Sequence, residues 1–508
     1  MSIDGFRPGS YRARQTSDQF VSSRAQLDNL QRQLATGKVA ESYGGLGIDR
    51  RISLDINAKV SVIDGWQSGI ERGNLRITMM SQSVERFSKL TQEAKGDIRP
   101  GSYVQTASGQ TIGQMLSAEK LQQSVDLLNI DIEGRYMFSG RTTDTKPVVS
   151  YDLMMNGDGA GRAGIKDMIA ERKLADIGVS GLGRLVVAGA GTNVTLDEEA
   201  TNPAYGFKIA GGVSSTTAIT TAFTAGPPAN LTASVVGTPN QGDTVRIKLN
   251  LFDGTTTEIT LEARNATSPG PAETSFTIGA TPAATAANLQ ASLTAAMTRE
   301  AQTSLSASSS IIATTNFFNA TPTTGPLRVP GPGFATAVAP PSSTGTLLTS
   351  VIWYQGDHGT SPPRATAPLQ IDASQVVGTG ARANEQAFRV GMAQFAALAA
   401  ETFSATDVNA RDRYEALAQR GRSNLSFQNG VQAPSEIAVE LATAQTAMKN
   451  AKERHSATKI YLTAANAKIE DVSVEEVASS ILTLQTRLQA SYQTTSILSR
   501  LSLTEYLR

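Results

Sequence analysis

Histidines, cysteines and clustered carboxylates are where hydrolytic, redox or metal chemistry would have to begin, and this sequence offers little of each. It has no cysteine and two histidines, His358 in Asp357-His358-Gly359 and His455 in a polar helical stretch. Imidazole triads and histidine metal sites are therefore not expected, and both histidines read as incidental. Without thiols there are no disulfides, thiolate metal sites or cysteine nucleophiles, which suits a chain that crosses a membrane unfolded. Gly159-Ala-Gly161-Arg-Ala-Gly164 matches the dinucleotide fingerprint by letter, but no strand pattern precedes it, so a flexible turn is expected. Phosphate-loop, His-Glu-x-x-His and nucleophile-elbow motifs do not occur. Asp197-Glu198-Glu199 offers carboxylates for acid–base work or calcium, and reads by default as a solvated acidic loop. Asn193-Val-Thr195 and Asn230-Leu-Thr232 match glycosylation acceptors, which Thr-rich sequence produces often. Trp66 and Trp353 read as core. The expectation is a non-enzymatic protein with no catalytic residue, cofactor or metal.

The elements that would position any site differ between the ends and the middle. Phe20, Leu27, Leu30 and Leu34 fall at helical spacing between Thr16 and Leu34, and Gly37 ends that helix. Ile56, Ile63, Ile70, Ile77 and Val84 then recur every seven residues, with Met80 and Phe87 three places after their partners, a coiled-coil-like seam. From Arg51 to Lys95 this predicts a rod of about 65 Å. Gly65, Gly69 and Gly73 each weaken it by about 1 kcal/mol relative to alanine, so a partner must hold it. A further helix is expected over Thr111 to Glu133.

The C-terminal end mirrors this pattern with helices marked by Phe388 to Leu398, Tyr414 to Leu425 and Ile437 to Ala451. A final helix from Ser473 carries Val477, Ile481, Leu484, Leu488, Leu498 and Leu501, opened by a capping box at Ser473 and Glu476. Its remaining positions are mostly Thr, Ser, Gln and Ala, so more than one face is suited to burial.

Between about Val148 and Gly380 helical periods give way to Gly, Ala, Thr, Ser and Pro. Thr244 to Leu251 and Thr256 to Leu261 alternate with period two around Asp253-Gly254, a hairpin signal, and Ala283 to Glu300 reads as one helix beside it. The fold expected is multidomain α+β: long N- and C-terminal helices packed as a coiled-coil-like bundle, with a β-rich Gly/Thr/Ala-rich central insertion. The expected division is 1–45 with 465–508 as axial terminal helices and 46–150 with 381–464 as a helical rod. Residues 151–225 with 326–380 make a β-rich outer domain, and 226–325 a self-contained hairpin and helix module.

Charge narrows the partners. Lys+Arg and Asp+Glu both number 45, giving net charge zero, so no global field favours nucleic acid or anionic membrane. No apolar run is long enough to insert in a bilayer, and the first residues lack the pattern of a cleavable secretory signal. Ends with spare apolar faces suggest burial between copies, which makes Phe20, Leu27, Leu30, Leu34, Val477, Ile481, Leu484, Leu488, Leu498 and Leu501 the candidate assembly interface.

Gly134-Arg-Tyr136-Met-Phe138-Ser-Gly140-Arg-Thr-Thr143-Asp-Thr-Lys146-Pro147-Val148 resembles the motif that closes the N-terminal helical region in the hook–filament junction family, hook-associated protein 3, of the flagellin superfamily. Leu34-Ala-Thr-Gly37-Lys38 is similar to that family's Leu-x-Ser-Gly-Lys turn. The tail from Leu482-Thr-Leu484 through Leu488 and Tyr492 to Leu501-Ser-Leu503-Thr-Glu-Tyr506 is similar to its C-terminus. Glu41 to Ile48 replaces the family's Ser-Asp-Asp-Pro-like run. The resemblance implies an extracellular structural subunit of the bacterial flagellum, exported without a cleaved signal peptide by the flagellar type III apparatus. It implies a ring or helical tube of copies, contacts with another hook-associated protein and with flagellin, and an export chaperone on the C-terminal helix. A filament-forming flagellin is the nearest alternative, and a secreted adhesin or glycan-acting enzyme with a helical stalk the more distant one.

Overall fold

The computed structural model describes residues 8–506 apart from Ser108, Asn202 and Asn429, with the backbone alone for residues 8–13, Thr16 and 498–506. The fold is mixed α+β, 52% helix and 15% strand, with long helices at both ends and sheets in the middle. Its contacts separate into two units. One comprises Met1–Arg72, Gln370–Val376 and Ala447–Arg508; the other comprises Gly73–Leu369 and Val377–Thr446.

The first unit is helical. It contains the helix Pro8–Thr36, the opening of the 48-residue helix Arg50–Asp97, the end of the helix Pro434–Glu470, and the helix Val474–Tyr506. The seven-residue repeat of Arg50–Asp97 works here as an inward stripe: Ile56, Ile63 and Ile70 are buried. Side chains of this helix meet Pro434–Glu470 in antiparallel order. Asn57 pairs with Asn466 (3.4 Å), Asp64 with Lys459, Gln67 with Ser456 (3.1 Å) and Glu71 with Lys452 (2.9 Å). Each step forward on one helix matches an equal step back on the other, so the register does not slip.

The second unit joins a helical layer to two sheets. In the layer, Ile77, Met80, Val84 and Phe87 are fully buried. Phe87 sits edge-on to Phe388 (5.1 Å) and 6.3 Å from Phe395, while Phe138 meets Phe388 edge-on from elsewhere (5.6 Å). A β-carbon on Gly391 would lie 2.6 Å from the Phe87 ring. Gly391→Ala is therefore expected to displace that ring and cost about 1–3 kcal/mol, read as a lower urea midpoint at unchanged m value. The helix Ile112–Leu128 starts one residue after Thr111, whose side chain forms a full capping box with Gln114.

The first sheet has the strands Leu185–Ala190, Asn193–Glu198, Asn230–Val235 and Ile219–Thr224 in spatial order, all antiparallel. The second runs Ser275–Thr277, Thr256–Arg264, Thr244–Asn250 and Lys208–Ser214, with only the Ser275–Thr277 pairing parallel. The expected hairpin forms: Val245, Ile247 and Leu249 face the core, and Gly254 takes a positive φ of 81° at the turn. The helix Pro282–Glu300 packs on both sheets and shares their core through Leu289, Leu293 and Met297.

Several expected boundaries move. Residues 226–325 are not self-contained, because Asn230–Val235 is a central strand between two strands that precede residue 226, and Lys208–Ser214 pairs with Thr244–Asn250. The Pro/Gly-rich residues 226–228 are the turn of a hairpin, not a linker. The middle also contains helices that apolar periodicity does not reveal, Ile165–Ile177 and Ser306–Phe318, and between 326 and 380 the described strands are limited to Pro368–Gln370 and Val376–Gly378.

Candidate assembly surface of the terminal helices

Gly37 stops the first helix. It takes φ +69°, and its N–H donates to the Gln33 carbonyl (2.8 Å), the left-handed C-terminal arrangement that glycine favours. The chain then runs beside the residues that follow Pro434–Glu470: Val39 N–H donates to the Glu470 carbonyl (2.7 Å) and Val472 N–H to the Gly37 carbonyl (3.0 Å). This short antiparallel bridge ties the inner ends of the two terminal helices together.

The Glu470 side chain secures the bridge. Its carboxylate accepts from Ser53 Oγ and Asn466 Nδ2 (2.9 Å) and lies 3.3 Å from Lys38 Nζ. The Ser53 hydroxyl, opposed by burial and helped by Asn466 and Lys38, holds this carboxyl below the ordinary carboxylate range. Its ionised form is thus favoured by folding. The stabilisation is complete above the unfolded value and lost as pH falls through the lower folded value. The protection of the Val39 and Val472 amides from hydrogen exchange, taken relative to the intrinsic rate at each pH, is expected to fall on acidification in the natural chain. In Glu470→Gln exchange should be faster at neutral pH and lack that acid step; an unchanged step in the variant would assign it to another group.

From this bridge Pro8–Thr36 and Val474–Tyr506 lie against each other, with Phe20 stacked on Tyr492 at 5.1 Å and 22°. Ser473 Oγ caps the second helix by accepting from Glu476 N–H (3.3 Å), and donates to Glu475 Oε2 (3.0 Å). Of the expected interface residues, Phe20, Leu27, Leu30, Leu484 and Leu488 are half-buried and Leu34 is exposed. Val477 and Ile481 retain 6% and 8% of their surface. These two therefore serve packing within the chain, with almost no surface left for a neighbour. The side chains of Leu498 and Leu501 lie outside the described residues.

A different apolar set faces outward. Leu482 is 64% exposed and Ile497 57%, and Val21, Val474, Tyr492, Ile460 and Tyr461 are exposed as well. Sequence reading of the seam passes over Leu482 because it stands one residue beyond Ile481, off the 3.6-residue stripe. A run of apolar side chains outside the buried stripe is the available signal, and Ile460-Tyr461 on an otherwise polar helix carries it too.

The residues singled out for chemistry are built into structure. His455 is buried, stacks on Trp66 at 5.1 Å and bonds the Ile371 carbonyl through Nε2 (2.7 Å), so it fastens the Gln370–Val376 segment. Asp197 accepts from Asn230 Nδ2 and Thr195 Oγ1 (2.9 Å), Glu198 from Ile209 N–H (3.0 Å) and Lys208 (3.3 Å), and Glu199 pairs with Arg184 (3.1 Å). The expected acidic loop is instead three carboxylates at a strand end, each turned to its own partners. Gly159 to Gly164 is a turn in which Asp158 Oδ1 accepts from Ala160 and Arg162 N–H, with a helix before it and no strand. Trp353 is buried and donates to the Phe318 carbonyl (3.0 Å).

Among the described residues no group of three or more histidine, aspartate and glutamate side chains is arranged to hold a metal ion, and no helix is long and apolar enough to cross a membrane. No protein-family model matches the chain, and no curated protein matches it significantly.

Proposed function

We propose that this chain is a structural subunit of the bacterial flagellum that joins the hook side to the filament and assembles through its terminal helices. The observation that carries the reading is the helix Val474–Tyr506, which buries one stripe inside its own chain yet leaves Leu482, Tyr492 and Ile497 exposed. Spare apolar positions on both terminal helices suit neighbouring copies in a ring or tube. In that assembly the terminal helices bury their remaining apolar faces in a coiled-coil-like inner wall.

The resembling segment supports the reading by its mechanical role. Asp131–Ile132 and Arg135–Tyr136 form a tight hairpin with Glu133 and Gly134 at positive φ. Ser139 Oγ then binds the Thr142 and Thr145 carbonyls, and Gly140 N–H donates to the Ala381 carbonyl (3.1 Å). The motif thus staples the end of the N-terminal helices to the start of the C-terminal ones, a joint that a load-bearing subunit needs. The proposal includes export by the flagellar apparatus, a chaperone on the C-terminal helix, and contacts with another hook-associated protein and with flagellin.

Immunogold labelling of intact flagella tests it. Gold confined to a narrow band near the hook is the expected result. Label along the whole filament would make the chain a filament-forming flagellin, and label absent from flagella would remove the proposal.

A further inference from the structure

The second unit holds a cleft of about 550 Å³ between the helices Ser306–Phe318 and Gln386–Ala400, the Phe252-Asp253 turn and the segment that follows the helix Ala410–Asn424. Arg389 is the one basic residue in its wall. This guanidinium is half-buried and, among the described residues, has no carboxylate within ion-pair range; Nη1 donates to Asn319 Oδ1, and the buried Nε has no partner. Burial alone depresses its pKa, with no acidic neighbour to offset it. The acid in the wall does not serve it. Asp253 Oδ2 is taken by Arg420 Nε (2.7 Å), and Oδ1 by the Thr255 N–H and hydroxyl.

Besides Phe252, Phe318, Thr315 and Ser423, the rest of the wall is of two kinds. Asn316, Gln386, Asn424 and Gln428 contribute side-chain amides, and Ile312, Val390 and Val431 contribute aliphatic surface. A primary amide presents a donor and an acceptor side by side, which matches hydroxyl groups on neighbouring ring carbons, and aliphatic surface suits the C–H face of a pyranose. An unneutralised guanidinium between them calls for one carboxylate, which it takes in bidentate fashion. A highly charged peptide would need several cations, and the wall has one.

We propose that this cleft binds an acidic sugar of the uronic acid class, with the carboxylate on Arg389 and the ring hydroxyls on the surrounding amides. The inference stands apart from the assembly role, since the cleft's residues belong to neither terminal helix.

Isothermal titration of the full chain with D-galacturonate, D-galactose, acetate and a tetra-aspartate peptide tests it. Saturable galacturonate binding is expected, with galactose and acetate each weaker. Arg389→Gln should lose about ten- to hundredfold in affinity, the range for a charge-assisted pair, and Arg389→Lys should retain part of it. Asn424→Ala, which leaves the arginine in place, should weaken galacturonate and leave acetate unaffected. Unaltered melting of all three variants assigns these losses to the cleft. Three results would each overturn the proposal: no saturation with galacturonate, equal affinity in Arg389→Gln, or tighter binding of the peptide than of the sugar.

Discussion

Asp176→Ala is expected to destabilise the second unit by about 3–5 kcal/mol, the range for breaking one side of a buried ion pair. Asp176 is 1% exposed, and its Oδ2 takes Arg172 Nε at 2.7 Å from a side chain that is 6% exposed. The same oxygen accepts from Ser309 Oγ (2.7 Å), and Oδ1 accepts from Gly206 N–H (2.9 Å). One carboxylate thus joins the helix Ile165–Ile177, the helix Ser306–Phe318 and the loop before the strand Lys208–Ser214. Alanine would leave a buried guanidinium uncompensated and orphan the Gly206 backbone N–H, which costs about 1–3 kcal/mol when unsatisfied, while Ser309 Oγ keeps the Leu305 carbonyl (2.9 Å). Arg172 also packs over the Tyr205 ring at 5.0 Å, so its rearrangement would reach a second contact. Denaturant unfolding followed by tryptophan fluorescence would measure the change, since Trp353 lies in this unit. Asp176→Asn keeps an acceptor and should cost less. A loss below about 1 kcal/mol for alanine would mean that water replaces the carboxylate and the network is not sealed.

The same network explains what the sequence hides. Ile165–Ile177 reads poorly as a helix because Glu171, Arg172 and Asp176 stand on its buried side, where periodicity expects apolar residues. Their burial depends on partners distant in the chain, such as Arg328 for Glu171, which no local pattern reports. Ser306–Phe318 is hidden for another reason. Ser308, Ser309 and Ser310 are fully buried, and Ser309, Ser310 and Thr314 donate to the carbonyls of Leu305, Ser306 and Ser310 four residues back, so their hydroxyls satisfy themselves inside the core. In the first sheet, Leu185–Ala190 exposes Val186 and ends in Ala-Gly-Ala, so it carries no apolar–polar alternation. By contrast Arg50–Asp97 was legible throughout, because one stripe of large apolar residues repeats along it. The exposed set at Leu482 and Ile497 was not. A helix whose neighbouring positions are Thr, Ser and Gln gives periodicity no means to say which leucine faces its own chain.

That distinction sets up the sharpest test of the assembly role, since Ile481 and Leu482 are adjacent yet differ in burial, 8% against 64% exposed. Ile481→Asp puts a carboxylate into the packing of the chain's own terminal helices. Losing a buried aliphatic side chain costs about 1.5–3 kcal/mol, and burying an unpaired charge adds to it, so helical signal and protease resistance of the first unit should fall in the isolated chain. Leu482→Asp places the same carboxylate in water, and the unfolding free energy of the isolated chain should stay within about 0.5 kcal/mol of the natural one. If Leu482 is buried between copies, however, this variant loses the leucine contact and strands a charge at every interface of a closed ring, a cost that recurs with each subunit. Strains carrying only Leu482→Asp should therefore export a normally folded chain, fail to retain filaments and release flagellin into the medium. Filament counts by electron microscopy, with secreted flagellin and chain levels by immunoblot, measure this. Full filament numbers with normal levels of Leu482→Asp would free this face of any assembly role. Destabilisation of the isolated Leu482→Asp chain would instead mean that Leu482 serves its own fold, leaving its exposed surface no claim on a neighbour.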